Sequence, residues 1–287
     1  MDKEFFEELY KLQSSFKPKN ISNKDINIAN RVANEILKID YRDSQLENKE
    51  LNLLYILNSS IDLLCDIGCN SVSDKVVSLL NGINFELSGS ESPVQFITYA
   101  KIINTTGGMV AKKTMSIAVP GIINDVSDVF VAHEISHSLK EENPFECRLV
   151  YNLMEMIPML IELIAGYNKG LITFREVIIG RFNLLHGEAY FFKKIMSEIK
   201  KYSGDKIPAY LYSALGSTIV YLNSFYYTLA LFYTYLSNPE YIIQYINLVL
   251  NCSITSEDVI KNVINIGLVS SFDDEFNLGL NYLKKEL

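Results

Sequence analysis

The chain has 287 residues, of which 48% are hydrophobic, and its formal net charge at pH 7 is −8. This composition is typical of a globular protein and excludes an intrinsically disordered chain. The excess of acidic residues argues against a nucleic-acid partner, because such partners are bound through their phosphates by Lys and Arg. The length is sufficient to bury a large core, and we expect one domain spanning residues 1–287.

The first residues and the cysteines predict a cytoplasmic protein. Residues 1–8 are acidic and lack the basic and apolar regions of a signal peptide. The four cysteines are too widely scattered for a disulfide framework, so we expect free thiols in a reducing compartment. They are Cys65, Cys69, Cys147 and Cys252. Alternatively, Cys65 and Cys69 could share a helix face and bind a metal.

The first third of the chain is predicted to be helical, because its apolar residues recur at nearly helical spacing. Pro18 ends the first helix and Gly82 ends the last. The predicted helices cover residues 2–17, 23–39, 45–67 and 72–81. We interpret residues 1–82 as an N-terminal helical part that forms a bundle or a cap.

A small β-sheet is predicted over residues 83–123. The segments 84–87, 93–99 and 110–119 are rich in β-branched and aromatic residues, and residues 104–108 carry a turn signal. The edge strand of such a sheet can pair with an extended peptide. Alternatively, these segments form a hairpin with a purely structural role.

The next stretch, Val131 to Leu139, contains the sequence His-Glu-x-x-His. His133 and His137 are four residues apart, so on a helix they share a face and can reach one metal ion. Glu134 is then placed to lean over a water molecule bound to that metal. The surrounding residues are apolar, as expected for a buried helix. This pattern favours the metal-binding helix of a zinc hydrolase; alternatively, both histidines are core residues bonded to backbone carbonyls.

The remainder, within residues 124–287, is predicted to hold the zinc-site helices and a C-terminal helical part. No internal repeat or flexible linker interrupts it. The predicted helices cover residues 145–167, 173–201, 208–237, 239–250, 255–266 and 273–285. Together with the preceding segments, this order of elements predicts a mainly α fold with one small β-sheet.

Residues 207–239 carry no charged side chain and are long enough to span a bilayer. However, this stretch contains seven tyrosines, whose hydroxyl groups would need partners in lipid. Pro208 and Gly216 also interrupt it. We therefore expect a buried helix that faces a polar cleft, and no membrane association.

A catalytic zinc ion needs three protein ligands and one open position. The third histidine, His186, lies in a polar stretch, so a carboxylate is the better candidate. Glu155 and Glu162 are seven residues apart in an apolar helix and therefore face the same way. Since an unpaired charge is costly in such surroundings, one can bind zinc and the other can orient a histidine. Alternatively, they are a hydrogen-bonded pair in the core.

Three segments together resemble the M3 family of zinc metallopeptidases, the group of thimet oligopeptidase and oligoendopeptidase F. The segment His133–Leu139 is similar to the family's zinc motif, and Glu155–Glu162 is similar to its Glu-x-x-Ser-x-x-x-Glu. Two aromatic clusters, Phe225–Tyr227 and Phe232–Tyr235, resemble the tyrosine-rich helix that lines the family's cleft. The resemblance covers about residues 90–240 and implies that Glu155 is the third zinc ligand and Glu162 a supporting residue.

The chain departs from the family at several positions. Ser136 replaces a glycine of the zinc motif, and Pro158 stands where serine is common. Asn223 and Ser224 occupy the region in which the family places a histidine. The interval from His137 to the next motif is also shorter, so the resemblance implies a reduced form of the family's catalytic core.

The resemblance implies a gluzincin-type peptidase that holds one zinc ion (Zn2+) per chain and hydrolyses short peptides. Glu134 would be the general base, taking a proton from the zinc-activated water and passing it to the leaving amine. Tyr235, or else Tyr227, would donate a hydrogen bond to the developing oxyanion. The alternative is a catalytically weak or inactive zinc protein that binds peptides or a protein partner.

Overall fold

The computed structural model describes eight stretches of the chain. They are residues 21–41, 53–68, 94–104, 110–120, 126–139, 155–202, 207–250 and, in the C-terminal part, 260, 261, 264, 267, 269 and 271–287. Several predicted features lie outside the described residues. They are the helices 2–17 and 72–81, most of the helix 255–266, the strand 84–87, the segment 145–154, and Cys69, Cys147 and Cys252.

The described residues form eight helices and one β-hairpin. The helices are α1 (Asn23–Ile36), α2 (Leu53–Asp66), α3 (Ser127–Leu139), α4 (Met156–Asn168), α5 (Leu171–Ile199), α6 (Ala209–Tyr235), α7 (Pro239–Leu250) and α8 (Phe272–Glu286). The hairpin strands are β1 (Val94–Asn104) and β2 (Val110–Pro120). The predicted helices in these stretches are confirmed, and those from residue 171 onward agree with the structure to within two residues at each end.

The sequence of α1 shows how these helices begin and why they pack. Ser22 caps the helix by accepting a hydrogen bond from the backbone of Asp25, whose side chain accepts one in return from the backbone of Ser22. Ala29, Val32 and Ile36 lie on one face and are completely buried. The amphipathic pattern therefore orients α1 against the core, where it contacts α5 and α6.

The longest buried element is α6, which contacts α1, α4, α5, α7 and α8. It is buried on nearly every side from Leu215 to Tyr235, including the polar residues Asn223, Ser224 and Thr228. The expectation of a buried helix in this segment is confirmed. Within the described part of the chain, no helix combines the length and apolar character that crossing a bilayer requires.

The predicted fold class, a mainly α protein with a small β-sheet and a gluzincin-type core, is wrong: in the part of the chain that the structure describes, the fold is all-α, with a core built by helices. The backbone of β1 and β2 does pair as an antiparallel hairpin, from Val94 opposite Pro120 to Asn104 opposite Val110. Such a two-stranded ribbon cannot form a layer of a core by itself. The β-branched residues thus predicted local extension correctly, but that pattern does not show whether a sheet layer forms.

Candidate metal centre

The motif helix α3 carries His133, whose side chain is only 5% exposed. The Nε2 atom of His133 lies 3.2 Å from Oε2 of Glu155, and its Nδ1 atom lies 3.0 Å from Oε2 of Glu162. The Ser136 hydroxyl donates a 2.6 Å hydrogen bond to the His133 carbonyl oxygen. One imidazole therefore lies between two carboxylates, with one carboxylate at each ring nitrogen.

Helix α4 supplies both carboxylates. Glu155 is the N-cap residue immediately before α4, and Glu162 lies two turns further along, completely buried. Because residues seven apart face the same side of a helix, both glutamates reach α3, which packs against α4. The apolar residues between them, from Met156 to Ile161, bury this face and exclude water from the two carboxylates.

Arg181, on α5, holds Glu162 in place. Its Nε donates a 3.0 Å hydrogen bond to Oε1 of Glu162, and its terminal nitrogen donates to Oε2. This is the two-point geometry in which arginine binds a carboxylate most strongly. The same terminal nitrogen lies 3.3 Å from Nδ1 of His133. A protonated Nδ1 donates to Glu162 and cannot also accept from Arg181, so the latter approach is a contact and not a hydrogen bond.

The charges in this buried cluster depend on one another. Burial disfavours the charged form of His133, but its hydrogen bonds to Glu155 and Glu162 outweigh burial and raise its pKa to about 9. Burial likewise acts to raise the pKa of Glu162, but Arg181 and His133 together hold it below its usual range. Without added ligands, the four side chains form a paired ionic network in the protein interior.

His137 follows His133 by four residues on α3, so its backbone lies on the same helix face. Its side chain is outside the described residues. Among the side chains that the structure describes, no three His, Cys, Asp or Glu groups converge as a metal-ligand set. His186, the least favoured ligand from the sequence, is exposed on α5.

The described pair of ligand candidates fits zinc in its spacing. Zinc bonds to imidazole nitrogen and carboxylate oxygen are about 2.0–2.2 Å long, so two such ligands at a tetrahedral ion lie about 3.4 Å apart. The separation of 3.2 Å between His133 Nε2 and Glu155 Oε2 is close to this value. Glu162 lies at the other ring nitrogen, the place where histidine ligands of metals commonly donate to a carboxylate.

A tyrosine that the sequence analysis did not select lies within the electrostatic reach of this cluster. Tyr221 is half-buried on α6. Its burial, together with the negative charges of Glu155, Glu188 and Glu134, raises its pKa to about 12, although Arg181 acts in the opposite direction. The phenol therefore stays protonated near neutral pH and can donate a hydrogen bond. Glu134, next to His133, is itself partly exposed.

The two predicted tyrosines lie elsewhere on α6. The Tyr235 hydroxyl donates a 3.2 Å hydrogen bond to Asn168, at the far end of α4 from Glu155. At 1.5 Å per residue, Tyr235 is about 21 Å along the helix from Tyr221. Tyr227 packs against the ring of Phe272, at a centroid distance of 4.9 Å. The structure thus brings together His133, Glu155 and Glu162, whereas the hydroxyl of Tyr235 is bonded at the opposite end of α4.

The sequence did contain a signal for Arg181, because this arginine follows the apolar run from Val177 to Ile179 and precedes Phe182. A buried charge in such a run needs a partner, by the same argument that selected the two glutamates. Nothing comparable distinguishes Tyr221, since α6 contains several tyrosines and is buried on nearly every side.

No family model, curated protein or solved structure matches this chain. The resemblance to the M3 peptidases therefore stays a prediction from short motifs, and the function must be argued from the site itself.

Proposed function

We propose that this protein is a zinc-dependent hydrolase that cleaves short peptides. The observation that carries the proposal is the buried imidazole of His133, which has Glu155 at one ring nitrogen and Glu162 at the other. In the proposed site, His133, His137 and Glu155 hold the ion. Glu162 fixes the orientation and tautomer of His133, and Arg181 in turn fixes Glu162.

When bound, zinc would supply an activated water molecule near neutral pH. Glu134, adjacent to His133 and partly exposed, accepts a proton from that water and returns it to the leaving amine. Tyr221 donates a hydrogen bond to the carbonyl oxygen on which negative charge develops. Tyr221 takes this role in the proposal because the charges of Glu134 and Glu155 act on its phenol, whereas the hydroxyl of Tyr235 is bonded to Asn168.

A zinc protein without peptidase activity is the second candidate, and one observation favours it. Asn223, where the M3 family places a histidine, is completely buried and donates a 3.3 Å hydrogen bond to Asp25. No imidazole supports the oxyanion at this position, so Tyr221 must do so alone. Such a protein would bind peptides or a partner without turnover.

The proposal is tested by measuring zinc content and peptide cleavage on the same preparation. Wild type, Glu134→Gln and the control Glu198→Gln, which removes an exposed carboxylate far along α5, are assayed with a library of quenched fluorescent peptides. We expect one zinc ion per chain in all three proteins, with cleavage abolished in Glu134→Gln only and by chelation.

Other results would contradict the proposal in distinguishable ways. Bound zinc without cleavage by wild type favours the peptide-binding protein. Absence of zinc, after addition of the metal, identifies the His133 cluster as a structural ion network.

A further inference from the structure

Glu188 is a half-buried carboxylate that has no role in the proposed metal centre and, among the described residues, makes no polar contact that would stabilise the fold. It lies on α5, seven residues after Arg181, and therefore on the same helix face. Among the described residues, none donates a hydrogen bond to it or forms an ion pair with it. Burial raises its pKa, as expected for a carboxylate without a cationic partner.

Glu188 shares its helix face with Arg181 of the metal centre and with an exposed apolar strip, and so marks a border between the two. On one side, its charge acts on the phenol of Tyr221, as do Glu155 and Glu134. On the other side, Leu184 and Phe191 follow the same face of α5 and are 42% and 53% exposed. These two residues precede and follow Glu188 by one helical turn.

There is open space beside this border. A side chain added at Gly187, adjacent to Glu188, would meet no atom within 4 Å. The strip of Leu184, Gly187 and Phe191 can therefore seat the aliphatic part of a ligand whose charged end meets Glu188. Partly buried carboxylates are costly unless paired, so a cationic ligand would gain both a charge partner and apolar contact.

The net negative charge of the surrounding side chains also favours a cationic ligand. The four carboxylates of Glu134, Glu155, Glu162 and Glu188 outnumber the two cationic groups described in this cluster, Arg181 and protonated His133. A bound divalent ion with neutral histidines would still leave the cluster with an excess of negative charge. An anionic ligand group near Glu188 would thus be repelled, and a cationic one attracted.

We propose that Glu188 is a recognition subsite for an ammonium group of the substrate, either a peptide amino terminus or a lysine side chain. This inference rests on the proposed peptidase function. Arg181 contacts His133, and seven residues of α5 span about 10 Å. An extended peptide covers that distance in about three residues. The recognised charge should therefore lie about three residues from the cleaved bond.

The test uses quenched fluorescent peptides with acetylated amino termini and one lysine placed at successive positions. Each is matched by a peptide with norleucine in place of lysine, and a lysine-free peptide with an unblocked amino terminus tests the second source. The proteins are wild type, Glu188→Gln and the control Glu198→Gln. We expect wild type and the control to prefer the cationic peptide about 10-fold, and Glu188→Gln to lower this ratio to about 1.

A second readout separates this inference from the proposed function. Anisotropy of the same labelled peptides on the Glu134→Gln protein, with and without Glu188→Gln, measures binding without turnover. Cleavage with no charge preference, or a preference that survives Glu188→Gln, overturns the subsite alone. If wild type cleaves no peptide, the anisotropy measurement decides. Tighter binding of the cationic peptides that is lost in Glu188→Gln supports the subsite. If binding shows no preference for the cationic peptides, the subsite and the proposed peptidase function are both overturned.

Discussion

Two arginines tie helices together in this protein, and their surroundings differ. Arg181 joins α5 to Glu162 of α4, and these side chains are 7% and 0% exposed. Arg31 joins α1 to Asp273 of α8, where the exposed fractions are 34% and 63%. Water can replace the partner in the second pair but not in the first. The exposed ion pair therefore contributes little to the free energy of unfolding, whereas removing one partner of the buried pair lowers this free energy strongly.

Removing the buried arginine should have the largest effect. We expect Arg181→Met to lower the free energy of unfolding by about 3–5 kcal/mol, because buried Glu162 loses the arginine that binds it at two points. Urea unfolding measures this, and Arg181→Met combined with Glu162→Leu should recover much of the loss. Equal effects of Arg181→Met and the surface variant Arg31→Met would contradict the comparison.

The next largest effect concerns catalysis and compares two tyrosines of α6, Tyr221 and Tyr235. We expect Tyr221→Phe to reduce kcat roughly 100-fold, since it removes a hydrogen-bond donor to the oxyanion. The matched change Tyr235→Phe, which loses only the bond to Asn168, should leave kcat within about twofold. A loss of activity on Tyr235→Phe, with Tyr221→Phe unaffected, would return the role to the tyrosine that the sequence suggested.

At the surface pair, Arg31→Met should lower the free energy of unfolding by about 1 kcal/mol or less. Arg31 also donates to Asn277 and lies over the ring of Phe276, so part of this loss comes from packing. Unfolding at low and high salt separates the two contributions, because only the ionic part is screened. A cost as large as that of Arg181→Met would show that exposure does not decide the outcome.

The smallest expected effect is the contribution of Glu35 to the pH dependence of the free energy of unfolding. Its hydrogen bond to Lys38, with further attraction from Lys38 and Lys284, lowers its pKa from the ordinary value of 4.5. The stabilisation is therefore fully present above pH 4.5 and is lost as the pH falls through the lowered pKa. Because the pair is exposed, we expect less than about 1 kcal/mol. Acid titration of unfolding, with Glu35→Gln as the control, should show the wild type losing this increment and the variant not.

The local parts of the site followed from the sequence, whereas the meeting of Glu155 and Glu162 with a histidine was expected from their apolar surroundings and from a family resemblance. The interval of seven residues placed Glu155 and Glu162 on one helix face, because helical periodicity depends on neighbouring residues alone. Their meeting with His133 depends on how α3 packs against α4, which no local pattern encodes. Arg181 could have been expected from its apolar neighbours, but its partner could not.

The choice of Tyr235 or Tyr227 stays a prediction, because the sequence of α6 does not indicate which ring adjoins the site. In an amphipathic helix, the spacing of apolar residues shows which face meets the core. Because α6 is buried on nearly all sides, this spacing does not indicate which of its faces is directed to the site. Clusters such as Phe225–Tyr227 therefore predicted a helix without predicting which ring adjoins Glu155. The fold class failed similarly: β1 and β2 formed, but their pairing did not produce a layer.

The position of Glu155 at the N-cap, immediately before α4, has a further consequence. The unpaired backbone N–H groups at a helix start carry a partial positive charge, which stabilises a nearby carboxylate. The helix start therefore contributes favourable electrostatics to Glu155, which also contacts His133, whereas Glu162, inside the helix, depends on Arg181 and His133. Glu155 can exchange its contact with His133 for an incoming cation while it stays near the helix start. Glu162 stays paired with Arg181, which joins α4 to α5.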